Sequence, residues 1–321
     1  MPTLHLAHQG SKLSLRTGRL LAIGPDGEVL GHAPARKIRR VVVHGNVGLT
    51  TPALTFLLKQ GASVTYLSTT GRFYGMAAAL PFPDPMRLIR QFEIGKTATG
   101  LVLAKSFVRA KLASQVEYLR RQGAATDRLE SMKDLGRRLE RARELNKVRG
   151  IEGMASRLYF ETVASLHPNL GFEKRLRRPP RDAVNAALSY GYAMLLGLVT
   201  TSLMQAGLHP EIGILHATGR RRPALALDLM EEFRVAVVDV PVFSGFLRGQ
   251  LDARQATLSS KGVLLGDALK KTLIESIEKR LSSPSPLAGK RYRDLIFEQG
   301  ERLAASIVHG RPYRSFYLRR G

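Results

Sequence analysis

The sequence contains no cysteine and no tryptophan, and its acidic residues are scarce beside its basic ones. Without cysteine, the chain can form no disulfide, no zinc–thiolate site and no thiol nucleophile. Its 321 residues hold 26 Asp and Glu against 50 Lys and Arg, a formal net charge of +24. Such an excess of positive charge favours a polyanionic partner, because binding releases the counterions of phosphates. We expect a nucleic acid, with general solubility and a membrane surface as alternatives.

A secretory leader and a membrane span are not expected. The first residues contain no continuous apolar run of the kind found in a signal peptide. The segment from Ala183 to Pro210 has no formal charge and is long enough to cross a bilayer. However, Asn185, Tyr190 and Tyr192 lie within it, and this polarity favours a helix buried inside the protein. We expect a cytoplasmic protein without a membrane segment.

The residue pattern changes near residue 84. Before it, short apolar runs between Gly and Pro turns predict strands at 4–7, 13–16, 20–23, 37–44, 62–67 and 73–77. One helix is predicted from about Thr51 to Lys59, with Thr50 or Thr51 as its N-cap. Three prolines within 80–85 predict a linker. Beyond it, the apolar spacing predicts helices at 86–122, 127–148, 151–166, 182–206, 262–281 and 292–308.

These patterns predict an α+β fold with two domains. A small N-terminal β-rich domain covers 1–84, and a larger, all-helical domain covers 85–321. The first 84 residues hold 9 Lys and Arg and 3 acidic residues, which leaves 41 and 23 for the rest. The helical domain is therefore the better candidate for the DNA-binding surface.

Basic residues cluster in two segments of that domain. Guanidinium groups match phosphate geometry well, so both clusters are candidate DNA contacts. The predicted DNA-binding residues are Lys174, Arg175, Arg177, Arg178 and Arg181 on a Pro-rich loop, and Arg220, Arg221 and Arg222 farther along.

Four other residues are candidates for chemistry, although each has a simpler interpretation. Glu152 can be a charge that favours the start of a helix, and His216 can be an ordinary core or loop residue. Asp228 and Glu231 lie three residues apart, so their side chains share one helix face. The simpler interpretation is that this acidic face is exposed to solvent and binds nothing. Together, two or three carboxylates and one imidazole suit Mg²⁺ or Mn²⁺. Beside phosphate-binding arginines, such a metal indicates phosphodiester chemistry, but spacing does not distinguish hydrolysis from strand transfer.

At these residues the sequence resembles the CRISPR-associated integrase of spacer acquisition, the Cas-one family. The resemblance covers almost the whole chain, and its modest motifs occur in the family's order and spacing. They lie at 41–77, at 150–160 (GIEGMASRLYF), at 177–196, around His209 and His216, at 224–234 (ALALDLMEEFR) and in the basic C-terminal part.

The resemblance implies specific roles and partners. The metal ligands fall on Glu152, His216 and Glu231, and Asp228 is an auxiliary acid of the catalytic set. Family members form homodimers largely through their β-domains and associate with a small partner protein, Cas-two. They use the 3′-hydroxyl of a short DNA fragment to attack a CRISPR repeat, and they act as nucleases on double-stranded and partly single-stranded DNA, branched forms included.

Two other functions remain open from the residues alone. A stand-alone metal-dependent nuclease of DNA repair or DNA junctions would hydrolyse DNA without joining ends. A non-catalytic basic DNA-binding scaffold would leave Glu152, His216 and Glu231 apart in space.

Overall fold

A computed structural model describes residues 3–69, 71, 73–79, 84–176, 179–219, 222–260, 262–286 and 289–318. The chain divides into two compact units, residues 1–82 and 83–321. Most of the predicted proline linker, residues 80–83, lies outside the described part of the chain.

The first unit contains two four-stranded sheets. One has the order β1-β5-β7-β8, parallel except for the last pair, and the other has the order β4-β3-β2-β6. The strands are β1 (Thr3–Leu6), β2 (Lys12–Arg16), β3 (Arg19–Ile23), β4 (Val29–Pro34), β5 (Arg40–His44), β6 (Gly48–Leu49), β7 (Ser63–Leu67) and β8 (Phe73–Ala78). The six predicted strands are present, whereas β4 and β6 were not predicted.

A single core joins the sheets to helix α1 (Thr51–Lys59). Leu13, Val41, Leu57 and Val64 are completely buried, because the apolar positions of the strands and the helix face one another. The Thr50 hydroxyl caps α1 by accepting a hydrogen bond from the Ala53 N–H at 3.4 Å. This helix therefore has its predicted bounds.

The second unit is mainly helical. Its helices are α2 (Pro85–Ile94), α3 (Ala98–Arg121), α4 (Thr126–Arg141), α5 (Leu145–Leu166), α6 (Ala183–Gln205), α7 (Ala224–Met230), α8 (Val240–Leu247), α9 (Asp267–Ser282) and α10 (Tyr292–His309). A π-helical segment, Arg234–Asp239, lies between α7 and α8. An antiparallel hairpin, β9 (Ala256–Ser259) and β10 (Gly262–Leu265), precedes α9, so the predicted all-helical composition was too strict.

Four predicted helices have different bounds in the structure. The helix predicted at 86–122 is two helices, because Thr97 caps α3 and a Cβ at Gly100 would lie 2.2 Å from the Ile94 carbonyl oxygen. The helix predicted at 127–148 ends at Arg141. The helix predicted to begin at 151 begins at Leu145, and the one predicted at 262–281 gives its first four residues to β10.

Helix α6 lies in the core of the second unit. Among the described residues it is the one helix long and apolar enough to cross a membrane, and 78% of its most apolar window is buried in the protein. Asp182 caps it by accepting a hydrogen bond from the Asn185 N–H at 2.7 Å. The prediction of a buried protein helix is confirmed.

Candidate metal and DNA site

Glu231 lies at the C-terminal end of α7, in a pocket of positive charge. The helix sequence ALALDLM is almost wholly buried, so the chain carries Glu231 into the interior, where its side chain is 2% exposed. Its Oε2 lies 2.8 Å from Lys111 Nζ and 3.0 Å from Arg234 Nε. Burial opposes ionisation, but Arg234, Lys111 and His216 outweigh it and lower the pKa of Glu231 to about 2. Glu231 is therefore a carboxylate at neutral pH.

Glu152 approaches the same lysine from the opposite side. It lies in the second turn of α5, and its Oε1 accepts hydrogen bonds from Lys111 Nζ and, at 2.9 Å, from the Ser156 hydroxyl. Burial and the nearby Glu231 raise the pKa of Glu152, but the charge of Lys111 gives a net lowering. Because α5 begins seven residues earlier, a role for Glu152 as a charge in the first helical turn is excluded.

His216 is held in one orientation by Asp228. The buried Asp228 carboxylate accepts hydrogen bonds from the N–H groups of Ile214, Leu215 and His216 at 2.7, 2.9 and 2.8 Å. Its Oδ1 also lies 2.6 Å from His216 Nδ1. Because a carboxylate only accepts, Nδ1 carries the proton, and in the neutral imidazole the lone pair is then on Nε2. Asp228 thus fixes the tautomer and orientation of His216, as outer partners of metal-bound histidines do.

The loop that carries His216 is tightly packed. A Cβ at Gly213 would lie 2.5 Å from the His216 carbonyl oxygen, so only glycine fits this turn. Arg149, on α5, donates from Nε to the Leu215 carbonyl oxygen at 2.6 Å. The loop is thereby tied both to α7 and to the helix that carries Glu152.

The donor set suits a divalent cation, although among the described residues no three Asp, Glu or His side chains form a ready metal-binding cluster. The carboxylates of Glu152 and Glu231 converge on the Lys111 ammonium. Glu231 Oε2 makes ion-pair contacts but no hydrogen bond of good geometry. The side chains of Glu152 and His216 are each 21% exposed, whereas that of Glu231 is 2% exposed. Two ionised carboxylates and an oriented imidazole are the ligands that Mn²⁺ or Mg²⁺ accepts.

A second layer supports Arg234. Its guanidinium lies over the ring of Tyr192, 4.6 Å from the centroid, and the Tyr192 hydroxyl donates to Asp239 at 2.5 Å. Burial raises the pKa of Asp239 to about 6, although the Tyr192 hydrogen bond and Arg234 lower it. Tyr192 therefore belongs to the support of the site, while Tyr190 is a core residue, 1% exposed.

The basic loop is anchored by the buried Asn185. Its amide oxygen accepts from the Leu176 N–H and from Arg175 Nη1, both at 2.8 Å, and its amide nitrogen donates to the Lys174 carbonyl at 2.9 Å. The Arg175 guanidinium also donates to the Ser189 hydroxyl. Asn185 is thus a buried, satisfied residue that shapes the loop.

The predicted DNA-binding residues differ in their surroundings. Arg175 is engaged within the protein, whereas Lys174, Arg181 and Arg222 are exposed. Arg177, Arg178, Arg220 and Arg221 lie outside the described residues. The structure therefore offers three described side chains to solvent for phosphate contacts.

Glu232, the neighbour of Glu231, faces a different region. Its carboxylate accepts hydrogen bonds from the Tyr313 hydroxyl at 2.5 Å, the Gln299 amide at 2.7 Å and the Phe316 N–H at 2.7 Å. Residues 310–318, which we call the C-terminal segment, supply two of these donors. Burial raises the pKa of Glu232 to about 7, although the three hydrogen bonds lower it.

Sequence reasoning missed Lys111, Arg234 and the Glu232 contacts. Lys111 had a usable signal, because it shares the apolar face of α3 with Phe107, Ser114 and Tyr118, all buried. A charge on such a face requires a partner. Nothing in the local sequence indicates that the C-terminal segment reaches Glu232.

Comparison with known sequences identifies one family. The sequence model described as CRISPR associated protein Cas1 matches residues 4–279. The chain is 47% identical over 324 residues to a CRISPR-associated endonuclease Cas1 of Thermus thermophilus, covering 98% of this chain and 99% of that one.

Two solved structures share the fold. A casposase bound to its integration product, at 20% identity, has a TM-score of 0.85 over 98% of this chain and 93% of that one. A chain of a Cas6-RT-Cas1–Cas2 complex, at 22% identity, has a TM-score of 0.82 over 98% of this chain and 36% of that one. At these identities the likeness extends to the fold alone.

Proposed function

The chain belongs to the CRISPR-associated Cas1 family of endonucleases, and on that premise we propose that it is a metal-dependent DNA endonuclease and integrase. It would insert short DNA fragments into a CRISPR repeat array. The observation that carries the proposal is the arrangement around Lys111: two ionised carboxylates, one buried and one partly buried, come from helices far apart in sequence and share one buried ammonium group. A non-catalytic scaffold has no need for this costly juxtaposition of buried charge.

Glu152, Glu231 and the Nε2 of His216 would hold Mg²⁺ or Mn²⁺. The bound ion would supply Lewis acidity at the scissile phosphate. Asp228 would keep the proton on His216 Nδ1, which leaves Nε2 as the atom that could bind the ion. Arg234, fixed by Tyr192, keeps Glu231 ionised and in place.

The proposed reaction exchanges one phosphodiester for another. The 3′-hydroxyl oxygen of the fragment attacks a phosphorus atom in the repeat, and the bond from that phosphorus to the repeat's own 3′ oxygen breaks. The proton of the attacking hydroxyl leaves to solvent, and the released 3′ oxygen gains one. One phosphodiester bond forms and one breaks, so no external energy source is required. With water as the attacking group, the same site would hydrolyse DNA.

DNA binding is assigned to the exposed basic side chains. Lys174, Arg181 and Arg222 are exposed in the unit that carries the larger share of the positive charge. Contacts to phosphate position a duplex without reading its sequence. They would hold double-stranded and partly single-stranded DNA near the carboxylates.

The assembly is proposed from the relatives. A Cas1-containing chain of the same fold occurs in a complex named with Cas2, which supports a small Cas2 partner for this chain. A homodimer formed through the β-rich unit, and a cytoplasmic location, follow from the family resemblance. Analytical ultracentrifugation of the chain alone and with its Cas2 tests both associations.

His216→Ala tests the site directly. We expect it to abolish metal-dependent cleavage and joining while leaving DNA affinity largely intact, because the exposed arginines and lysines carry the binding. Integration of a labelled fragment into a repeat plasmid measures joining, and fluorescence anisotropy measures affinity. Integration at the wild-type rate would refute the assignment, and cleavage without joining in the wild type would favour a stand-alone nuclease.

A further inference from the structure

The proposed function assigns no chemical role to Lys111, the lysine that both carboxylates share. It lies on α3, is 4% exposed, and contacts carboxylates from two other elements, Glu152 on α5 and Glu231 beside α7. Burying an ammonium group is costly unless it is paired, and this one is paired twice. The two ion pairs therefore account for the burial of Lys111 between the carboxylates.

The two cations beside Glu231 are held differently. Arg234 is buried, lies over the Tyr192 ring and contacts only one of the two carboxylates. Lys111 has a flexible four-carbon stem and a compact charge, and its described contacts at the site are the two carboxylates. Arg234 is thus held in place beside Glu231 by the Tyr192 ring, whereas the side chain of Lys111 can rotate and so move its ammonium group.

From this geometry we propose that Lys111 competes with a divalent cation for the carboxylates of Glu152 and Glu231. The inference rests on the proposed metal site. The lysine contacts Oε1 of Glu152 and Oε2 of Glu231, so an ion bound to these oxygens must share them with the ammonium group or displace it. Two cations at contact distance repel strongly in a buried site. Lys111 is therefore a positioning residue that holds both ligands together and, in doing so, weakens metal binding.

The test compares Lys111→Met with a matched variant, Lys105→Met. Lys105 lies on the same helix but donates to the Glu140 carbonyl, so both variants lose one charge and only one loses it at the site. Isothermal titration with Mn²⁺ should show that Lys111→Met binds about tenfold more tightly than the wild type, since a repelling charge is removed. Lys105→Met should bind like the wild type.

The rise in Tm on adding Mn²⁺ supplies a readout that a merely structural role would not move. In EDTA, Lys111→Met should melt below the wild type on either view, because the two carboxylates lose their shared cation. Added Mn²⁺ should raise its Tm by more than it raises the wild-type Tm. An Mn²⁺ affinity equal to or weaker than that of the wild type would overturn the inference.

A measurement on the wild type covers the case in which Lys111→Met does not fold. Titration with Mg²⁺, followed by NMR of the lysine Nζ groups, should shift the Lys111 signal and leave the Lys105 signal in place. No shift of the Lys111 signal at Mg²⁺ saturation overturns the competition. If neither the wild type nor Lys111→Met binds Mn²⁺, the proposed metal site itself is refuted. Binding by the wild type without tighter binding by Lys111→Met refutes only the role of Lys111.

Discussion

Glu231 and Glu232 are adjacent, both are buried, and they belong to two regions with opposite chemistry. Glu231 faces Lys111 and Arg234, and its pKa is lowered to about 2. Glu232 faces neutral donors, the Tyr313 hydroxyl, the Gln299 amide and a backbone N–H, and its pKa is raised to about 7. Two glutamates that are buried to nearly the same extent therefore have pKa values shifted in opposite directions.

The difference shows that burial alone does not decide the charge of a carboxyl group. Desolvation is the largest influence on both residues, and it raises the pKa of both. Full charges nearby reverse it at Glu231, whereas three neutral hydrogen bonds do not reverse it at Glu232. A charged site for a cation and a structural anchor can therefore occupy consecutive positions of one helix end.

The largest expected effect separates the two residues by activity. Glu231→Gln removes a proposed ligand and its charge at constant volume, so we expect strand transfer to fall by at least about 1,000-fold. Glu232→Gln should stay within about tenfold of the wild type, because its partners are structural. Integration assays at saturating Mn²⁺ measure both. An equal loss in the two variants would remove the functional distinction between the neighbours.

The next effect tests the anchor. A chain ending after residue 309 lacks the Tyr313 and Phe316 donors, and it also lacks the Phe316 ring, which stacks on Phe233 at 5.0 Å. We expect a loss of about 3 kcal/mol in the free energy of unfolding, from unpaired buried oxygen and lost packing. Denaturant titration measures it, and a chain ending after residue 318 keeps these contacts and is the control. Unchanged stability would show that Glu232 does not depend on the C-terminal segment.

The pH dependence of stability is the third test. The pKa of Glu232 is raised to about 7 in the folded protein, while an unfolded glutamate titrates near 4.3. Below about pH 4.3 this residue is protonated in both the folded and the unfolded state, so its titration does not lower the free energy of unfolding. As pH rises towards about 7, the unfolded state releases its proton first, so stability falls. Between pH 5 and pH 8 the wild type should lose about 2 kcal/mol relative to Glu232→Gln. Urea titrations in EDTA measure this, and a difference that grows in the opposite direction would contradict the assigned shift.

The smallest effect is expected from Tyr313→Phe. The phenyl ring can keep its edge contact with Phe107, at 5.7 Å, but the hydrogen bond to Glu232 is lost. We expect a decrease of about 1 kcal/mol in the free energy of unfolding, since the Gln299 and Phe316 donors remain. The same variant in a Glu232→Gln background should cost less, and equal costs in both backgrounds would show that the two side chains are not coupled.

The strands and helices that the sequence predicts most accurately are those set by a single local pattern. The β-branched run of β5 and the capped helix α1 were predicted within a few residues, because periodicity and capping act over short distances. The hairpin before α9 was missed, because Leu265 continues the four-residue spacing of Leu269 and Leu273. The break before α3 depends on the close contact at Gly100, which only the packed structure reveals.

The acids and the histidine of the candidate site were predicted from the family motifs. Their partners were not readable. Lys111 lies 41 residues from Glu152, and Tyr313 lies 81 residues from Glu232. No local pattern joins residues at such distances. Asp228 was predicted as an auxiliary acid beside Glu231. In the structure its carboxylate holds the loop that carries His216 and orients the His216 imidazole.

The π-helical segment has a consequence for how this part of the gene can vary. In an α-helix, residues five apart point about 140° away from each other, whereas the i to i+5 bonding of a π-helix brings them to the same side. Arg234 and Asp239 are five apart, and both meet Tyr192, one over its ring and the other at its hydroxyl. The additional residue therefore acts as a spacer. A one-codon deletion within 235–238 would place the two residues four apart, and four residues of an α-helix turn through about 40° beyond a full circle, so both would still lie on the side of the tyrosine. The loss of one residue should therefore be tolerated better than an insertion, which would place them six apart and about 120° away from each other in an α-helix.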